Sequence, residues 1–537
     1  MSRKFLDPRI ATLLAAISVV VLCQGVSRPV VAQITAFSQT VAETAARDAD
    51  IAAFYRERAF QPFWTADDEA GRDRRAELLR ALQNAASHGL PAARYDVSAL
   101  IARLRAVQTS RDRALAEVEV SRLFLQYARD IQTGVLTPQR IDSRIVREIS
   151  YRDRKETLAG LAASRAAPFF RALPPRSMEY NALLKEKVLM EQLLAVGGWG
   201  PRVPASALKP GDRGEAVIAL RNRLIRMSYL PRSNAPTYDA PMTEAVRQFQ
   251  VDHGLNADGV AGPATMAQIN VNVAERLQSV LVALERERWF NTERGKRHIL
   301  VNIPDFTAKI IDDGKVTFET RSVVGAARDD RPTPEFSDMM EHMVINPTWF
   351  VPRSIVTQEY LPQLRRNPNA TRHLVITDRR GRQVNRNAVN FAAYSAQNFP
   401  FSMRQPPSQS NALGLVKFMF PNKYNIYLHD TPAKDLFARD ARAFSHGCVR
   451  LAEPFEFAYA LLAAQTDDPQ GEFHRVLRTG KETKVNLETP VPVHIIYRTA
   501  VTNAHGHTEY RADVYGRDAR IWRALENAGV VLGGVQG

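Results

Sequence analysis

Apolar positions change their period along the chain. From about residue 34 to 200 they recur at helical spacing. Leu78, Leu79, Leu82, Ala85 and Ala86 share one face before Ser87-His88-Gly89 stops the helix. A longer periodic stretch over 114–131, with Leu115, Val118, Leu123, Phe124 and Tyr127, runs toward Gly134. Phe54, Tyr55, Phe60, Phe63 and Trp64 read as a packed aromatic cluster, with a sugar-stacking platform as the functional alternative. Gly197-Gly198-Trp199-Gly200-Pro201 and Pro204 break the helices and mark a boundary. Beyond it, amphipathic helices are expected over 215–227 and 242–253, with a third short one after Gly262-Pro263.

At about His298 the pattern turns to strands: 298–304, 307–312, 316–324 and 343–349, with Asp313-Gly314 as a tight turn. The stretch 355–415 interrupts this rhythm, and an insertion of that size between core strands is commonly functional, such as a lid. Strands resume at 416–420 and 425–428. A helix is expected over 454–464, a closing hairpin from 493–499 with 508–515, and a loose tail over 528–537. The pattern predicts a multidomain α+β protein. Its parts are a mainly helical scaffold (33–200), a three-helix module (205–273), a mostly β domain (297–500) with a capping insertion at about 355–415, and a hairpin and tail (501–537).

Composition changes this picture only a little. A chain of 537 residues exceeds one hydrophobic core, and 45% hydrophobic with 24% charged residues exclude both global disorder and a polytopic membrane protein. The net charge of +15 favours polyanionic partners. Its arginines are scattered along helical stretches, which reads as solvated faces. No recognised DNA- or RNA-binding signature accompanies them, so nucleic acid is not an expected partner. Arg3, Lys4 and Arg9 precede an apolar run over 10–26, and Val30-Val31-Ala32 suits signal-peptidase cleavage. Residues 1–32 therefore read as an export signal and the periplasm as the destination. Membrane contact is expected only through this segment if it stays uncleaved.

Cleavage there removes Cys23 and leaves Cys448 as the one cysteine, in Ser445-His446-Gly447-Cys448-Val449-Arg450. A lone thiol in an oxidising compartment argues for chemistry rather than structure. His429, in Tyr427-Leu428-His429-Asp430, precedes Cys448 by 19 residues and ends a strand-like run. It suits a general base for a thiolate nucleophile. Gly447 and the neighbouring backbone N–H groups suit an oxyanion hole, Arg450 a positive field, and His446 a supporting hydrogen bond. His429, His446 and Cys448 are also zinc-ligand types, but their spacing matches no structural or hydrolytic zinc site, and no metal or cofactor is expected. His505-Gly506-His507 reads as a hairpin turn.

Two resemblances then name a polymer. Pro210-Gly211-Asp212-x-Gly214, Val246-x-x-Phe249-Gln250 and Gly254-Leu255-x-x-Asp258-Gly259-x-x-Gly262-Pro263-x-Thr265 resemble a small peptidoglycan-binding module over about 208–271. Tyr427-Leu428-His429-Asp430 followed by Ser445-His446-Gly447-Cys448-Val449-Arg450 resembles the active-site signature of the L,D-transpeptidases. Val324-Gly325, Thr333-Pro334 and Asn346-Pro347-Thr348-Trp349 fall where that domain has earlier motifs. Across about 40–515 the chain is similar to large Gram-negative periplasmic members of that family. The resemblance implies Cys448 as nucleophile, His429 as base, Ser445, His446, Gly447 and Arg450 around the site, and Tyr427 and Trp349 as substrate contacts. It implies peptidoglycan tetrapeptide stems as substrate, 3-3 cross-links as product, acylation by carbapenems, and other wall-synthesis proteins as a further partner class. Water as acceptor, giving a carboxypeptidase or endopeptidase, and a non-catalytic wall-binding scaffold are the alternatives.

Overall fold

A computed structural model of the chain describes residues 35–502 and 508–533. The expected signal segment 1–32 and the His505-Gly506-His507 turn lie outside the described residues. Among the described residues no helix is long and apolar enough to cross a membrane.

The first part is helical, built around Ser110–Thr133, whose N-terminus is closed by a capping box between Thr109 and Asp112. The aromatic cluster is core: Tyr55, Phe63 and Trp64 are fully buried and Phe54 nearly so. The buried carboxylate of Glu117 explains the cluster's rigidity. It accepts from the Phe63 and Trp64 amides (each 2.6 Å), the Thr65 amide (2.8 Å) and the Tyr55 hydroxyl (2.9 Å). With every acceptor engaged, a buried carboxylate becomes a staple rather than a defect.

The three-helix module has its own core, with Val217, Leu220, Leu224, Met242, Val246, Phe249, Met266 and Ile269. Its signature residues are structural. Gln250 accepts from the Gly259 amide (2.9 Å) and donates to Asp258 (2.9 Å), the Val260 carbonyl (2.9 Å) and Thr265 (3.1 Å), so one side chain holds the whole 258–265 loop. The module touches the β domain through the Asn256 amide on Asp440 (3.1 Å) and through Arg511, which donates to the Asp252 carbonyl (2.8 Å).

The β domain contains β1 (Arg297–Asn302), β2 (Thr307–Asp312), β3 (Lys315–Gly325), β4 (Phe336–Ile345), β8 (Val416–Met419), β9 (Leu428–His429), β10 (Ala443–Ser445), β11 (Val449–Leu451) and β12 (Thr483–Ile496) in one sheet. The order is β10-β3-β11-β9-β8-β4-β12-β1-β2, and a further β2–β3 pairing closes the sheet on itself. Asp313 and Gly314 both have positive φ, as the β2–β3 hairpin turn requires. Between β4 and β8 the chain leaves the sheet and forms a small one of its own from β5 (Trp349–Phe350), β6 (Val375–Thr377) and β7 (Ser402–Gln405). This insertion has a separate core that includes Trp349, Leu361, Leu364, Ile376 and Phe399.

Two expectations are corrected here. The run 493–499 is not one arm of a closing hairpin. Its first part ends β12, which is central, parallel to β1 and antiparallel to β4. Val493, Ile495 and Ile496 are almost fully buried, which requires cover on both faces. The hairpin that does form pairs β13 (Ala500–Thr502) with β14 (Thr508–Tyr510), and a helix, Arg517–Asn527, follows it. Ile521, Trp522 and Leu525 of that helix pack in one core with Leu277, Val280 and Leu284 of the helix Val273–Trp289.

The arginines are the second correction. Arg221, Arg286, Arg288 and Arg517 are at most 5% exposed rather than solvated. Glu335 takes two of them, Arg286 at 2.7 Å and Arg517 at 3.1 Å, and Asp518 pairs Arg286 at 3.1 Å. Arg288 pairs Glu285 at 3.1 Å. The helix Val273–Trp289, the start of β4 and the helix Arg517–Asn527 are thus joined by buried ion pairs.

Candidate active site

The register places the predicted chemistry together. β11 runs parallel to β9 with Val449 opposite Leu428 and Arg450 opposite His429, and β8 lies on the other side of β9 with Lys417 opposite His429. Because side chains alternate along a strand, Leu428, Val449 and Leu451 enter the barrel core, where all three are fully buried. Tyr427, His429, Cys448, Arg450 and Lys417 therefore share the opposite face.

The turn between β10 and β11 is fixed from below by β3, which pairs with both: Ser445 aligns with Gly325 and Arg450 with Val323. Gly447 has φ +115°, a region that strains any side chain. Its carbonyl accepts from Thr333 Oγ1 at 2.7 Å, and Thr333 Oγ1 accepts from the Gly325 amide at 2.9 Å. Gly325 must be glycine, since a Cβ there would lie 1.9 Å from the Arg331 carbonyl oxygen. Tyr515 donates to the Gly325 carbonyl (2.5 Å) and Arg517 to the Thr333 carbonyl (2.9 Å), so late segments of the chain hold the same loop.

Within the turn, Ser445 is buried and uses its hydroxyl twice, donating to the Cys448 carbonyl (2.5 Å) and accepting from the Gly447 amide (3.1 Å). Cys448 is a free, half-buried thiol whose Sγ faces the Asn425 carbonyl at 3.4 Å. Burial pushes the thiol up to about 11, against a hydrogen bond from Tyr427 and the cations Arg450 and Lys417, which pull it down. His429 is fully enclosed; burial, and then Arg450, bring it down to about 3. Its Nδ1 meets the Asp430 carbonyl. That contact favours the tautomer with the proton on Nδ1, and a second backbone carbonyl, that of Leu413, also faces the ring. The resting pair is therefore neutral thiol and neutral imidazole. Tyr427 stacks edge-on to His429 at 5.6 Å between ring centres, and its hydroxyl is also held neutral by burial and the neighbouring sulfur.

Sequence reading missed two residues here, Lys417 and Glu359. Lys417, whose ammonium lies 5.9 Å from the Tyr427 ring centre, is a second cation beside the thiol. Arg450 has a buried Nε without a hydrogen-bond partner among the described residues. Glu359 belongs to the insertion, in a π-helical turn over Val356–Tyr360, a local irregularity frequent at functional sites. Its Oε1 accepts from His446 Nε2 (2.5 Å) and from Arg331 (2.6 Å), so His446 faces the insertion. Trp349 lies in the insertion core, edge-on to Tyr360 at 6.4 Å, and is 8% exposed. Among the described residues no three His, Cys, Asp or Glu side chains gather closely enough to hold a metal ion.

Residues 296–493 match the model of the L,D-transpeptidase catalytic domain of the YkuD type. Residues 49–186 match a scaffold domain and 213–269 a "Putative peptidoglycan binding domain". The three matches follow one another along the chain, with the catalytic-domain match last. Among individual proteins, it is 33% identical over 225 residues to a Haemophilus influenzae protein named "Putative L,D-transpeptidase", a match covering 42% of this chain and 45% of that one. The chain therefore aligns with just under half the length of that relative. Solved L,D-transpeptidases from Xylanimonas cellulosilytica and Stackebrandtia nassauensis are each 14% identical. They cover 55% of this chain and 98% and 96% of their own, with TM-scores of 0.18 and 0.22.

Proposed function

We propose that the protein is a periplasmic peptidoglycan L,D-transpeptidase. One observation carries this reading: Tyr427, His429 and Cys448 share one face of two adjacent parallel strands, flanked by the cations Lys417 and Arg450. In the proposed reaction the thiol proton passes to His429 Nε2 as Sγ bonds to the carbonyl carbon of the third stem residue. His429 then gives that proton to the departing amine of the terminal D-alanine, leaving a thioester. The side-chain amine of a neighbouring diaminopimelate attacks the thioester, forms the 3-3 amide and returns the thiol.

A neutral resting pair makes this proton transfer part of the acylation step, and a positioned base is worth about 10²–10⁴ in rate. The oxyanion is assigned to backbone donors at the turn. Gly447 N–H already leans on Ser445 Oγ, so the amides of His446 and Cys448 are the further donors proposed. Lys417 and the unpartnered Nε of Arg450 suit the carboxylates of the stem. Carbapenems would acylate the same sulfur.

The test is Cys448→Ala against wild type, incubated with purified disaccharide-tetrapeptide and with a carbapenem. Wild type is expected to give cross-linked dimers and an intact-mass adduct, and the variant neither. Dimers from the variant would overturn the reading, and trimmed monomers in place of dimers from wild type would move it to hydrolysis.

A further inference from the structure

The scaffold contains a cleft of about 850 Å³ walled by the second half of the helix Ser110–Thr133, the 135–140 segment and residues 151–157. Six arginines line it against one acid, Asp130. That acid is already neutralised by Arg94 at 3.0 Å and by the Tyr95 hydroxyl at 2.7 Å. Arg154 is paired with Asp48 and Asp50. Arg129, Arg140 and Arg152 are exposed and have no acidic partner among the described residues. Arg129 lies 5.4 Å from the centre of the Tyr151 ring, which is 52% exposed at the rim. Gln132 also lines the cleft. It is 7% exposed, and its Nε2 has no hydrogen-bond partner among the described residues.

An unpaired buried amide is costly unless something accepts from it. Three guanidinium groups without an acidic partner among the described residues line the same cleft, which specifies an anion. An exposed aromatic ring at the rim adds a face for a sugar, and a half-open cleft of this volume suits a ligand of one disaccharide-peptide unit. We infer that this cleft is a second wall-binding site, taking the carboxylate-bearing stem of an uncross-linked glycan strand. The inference rests on the peptidoglycan reading above. It gives the helical region a task apart from the three-helix module: gripping the strand while the thiol works on a stem.

The experiment is amide hydrogen exchange on the full chain, with disaccharide-tetrapeptide as probe. The same disaccharide without peptide, inorganic phosphate and anionic lipid vesicles are run beside it. The muropeptide is expected to slow exchange over 125–141 and 151–157. The triple variant Arg129→Ala, Arg140→Ala, Arg152→Ala is expected to weaken that protection by about tenfold or more, as loss of charge-assisted hydrogen bonds implies. Lysine at the same three positions should restore part of it, and alkylation of Cys448 should not change. No protection by the muropeptide, equal protection by phosphate or vesicles, or undiminished protection in the triple variant would each overturn the inference. Protection without any cross-linking would leave this site standing and sink the transpeptidase reading, whereas cross-linking without protection would do the reverse.

Discussion

Two buried regions treat their ionisable groups in opposite ways. At the junction of Val273–Trp289 with Arg517–Asn527, buried groups are arranged as charged pairs: Glu335 between Arg286 and Arg517, and Glu285 against Arg288. At the Cys448 turn the thiol and the imidazole are neutral, with Cys448 pushed up to about 11 and His429 brought down to about 3. Burial is common to both regions, and the partner makes the difference. Where opposite charges meet at hydrogen-bonding distance, each buried group has a counter-charge that offsets its loss of water. Where the nearest charges are cations beside a histidine, the imidazole sheds its proton and is left able to accept one.

His429→Ala removes the acceptor from the neutral region. It should lower the rate of acylation by about 10²–10⁴ in a stopped assay of adduct formation. Glu335→Ala acts on the charged region instead. Removing the carboxylate that Arg286 and Arg517 share leaves Arg286 with Asp518 and Arg517 with Asp142 as remaining acidic partners, and should cost about 3–5 kcal/mol, read as a lower denaturant midpoint. A melting temperature like that of wild type would show that the pairs are not what holds the junction.

pH separates the two regions further. Alkylation of Cys448 by iodoacetamide should keep rising through pH 9 without the plateau of an ordinary thiol near 8.5, because its thiolate forms only toward about 11. On the acid side, His429 stays neutral in the fold down to about 3, while the unfolded chain takes up that proton near 6.5. Folding stability is therefore undisturbed above 6.5 and falls as pH drops toward 3, and His429→Ala should blunt that fall. His88 and His494, each brought to about 4 by burial, act in the same direction from other parts of the molecule.

The smallest expected effect is at the insertion. Glu359→Gln weakens the contact to His446 and Arg331, both partly exposed, and should change acylation by up to about fivefold, the worth of a screened pair at about 0.2–1 kcal/mol. A change of a hundredfold would mean that Glu359 works on the chemistry itself.

The Cys448 turn and the His429 strand end were legible because their types and spacing are local, and the strand alternation that puts them on one face follows from position alone. Glu359 was not, since it reaches His446 across 87 residues and no periodicity reports such a meeting. The arginines misled for a related reason: a charged residue on a helix looks solvated until the helix that supplies its acid is known. Arg517–Asn527 was hidden by its own charges, Arg517, Asp518, Arg520 and Arg523, which mask the apolar trio Ile521, Trp522 and Leu525. Gln250 shows the reverse case, a motif residue whose hydrogen bonds account for the motif without reference to any ligand.

The clamp from Tyr515 and Arg517 onto Gly325 and Thr333, and through Thr333 onto Gly447, has a consequence for biogenesis. A polypeptide emerges from its N-terminal side, so Cys448 leaves the ribosome before the residues that brace its turn. Until positions 515–517 follow, Cys448 sits on a loop without that brace. The turn that carries the thiol is therefore completed only when almost the whole chain has been made.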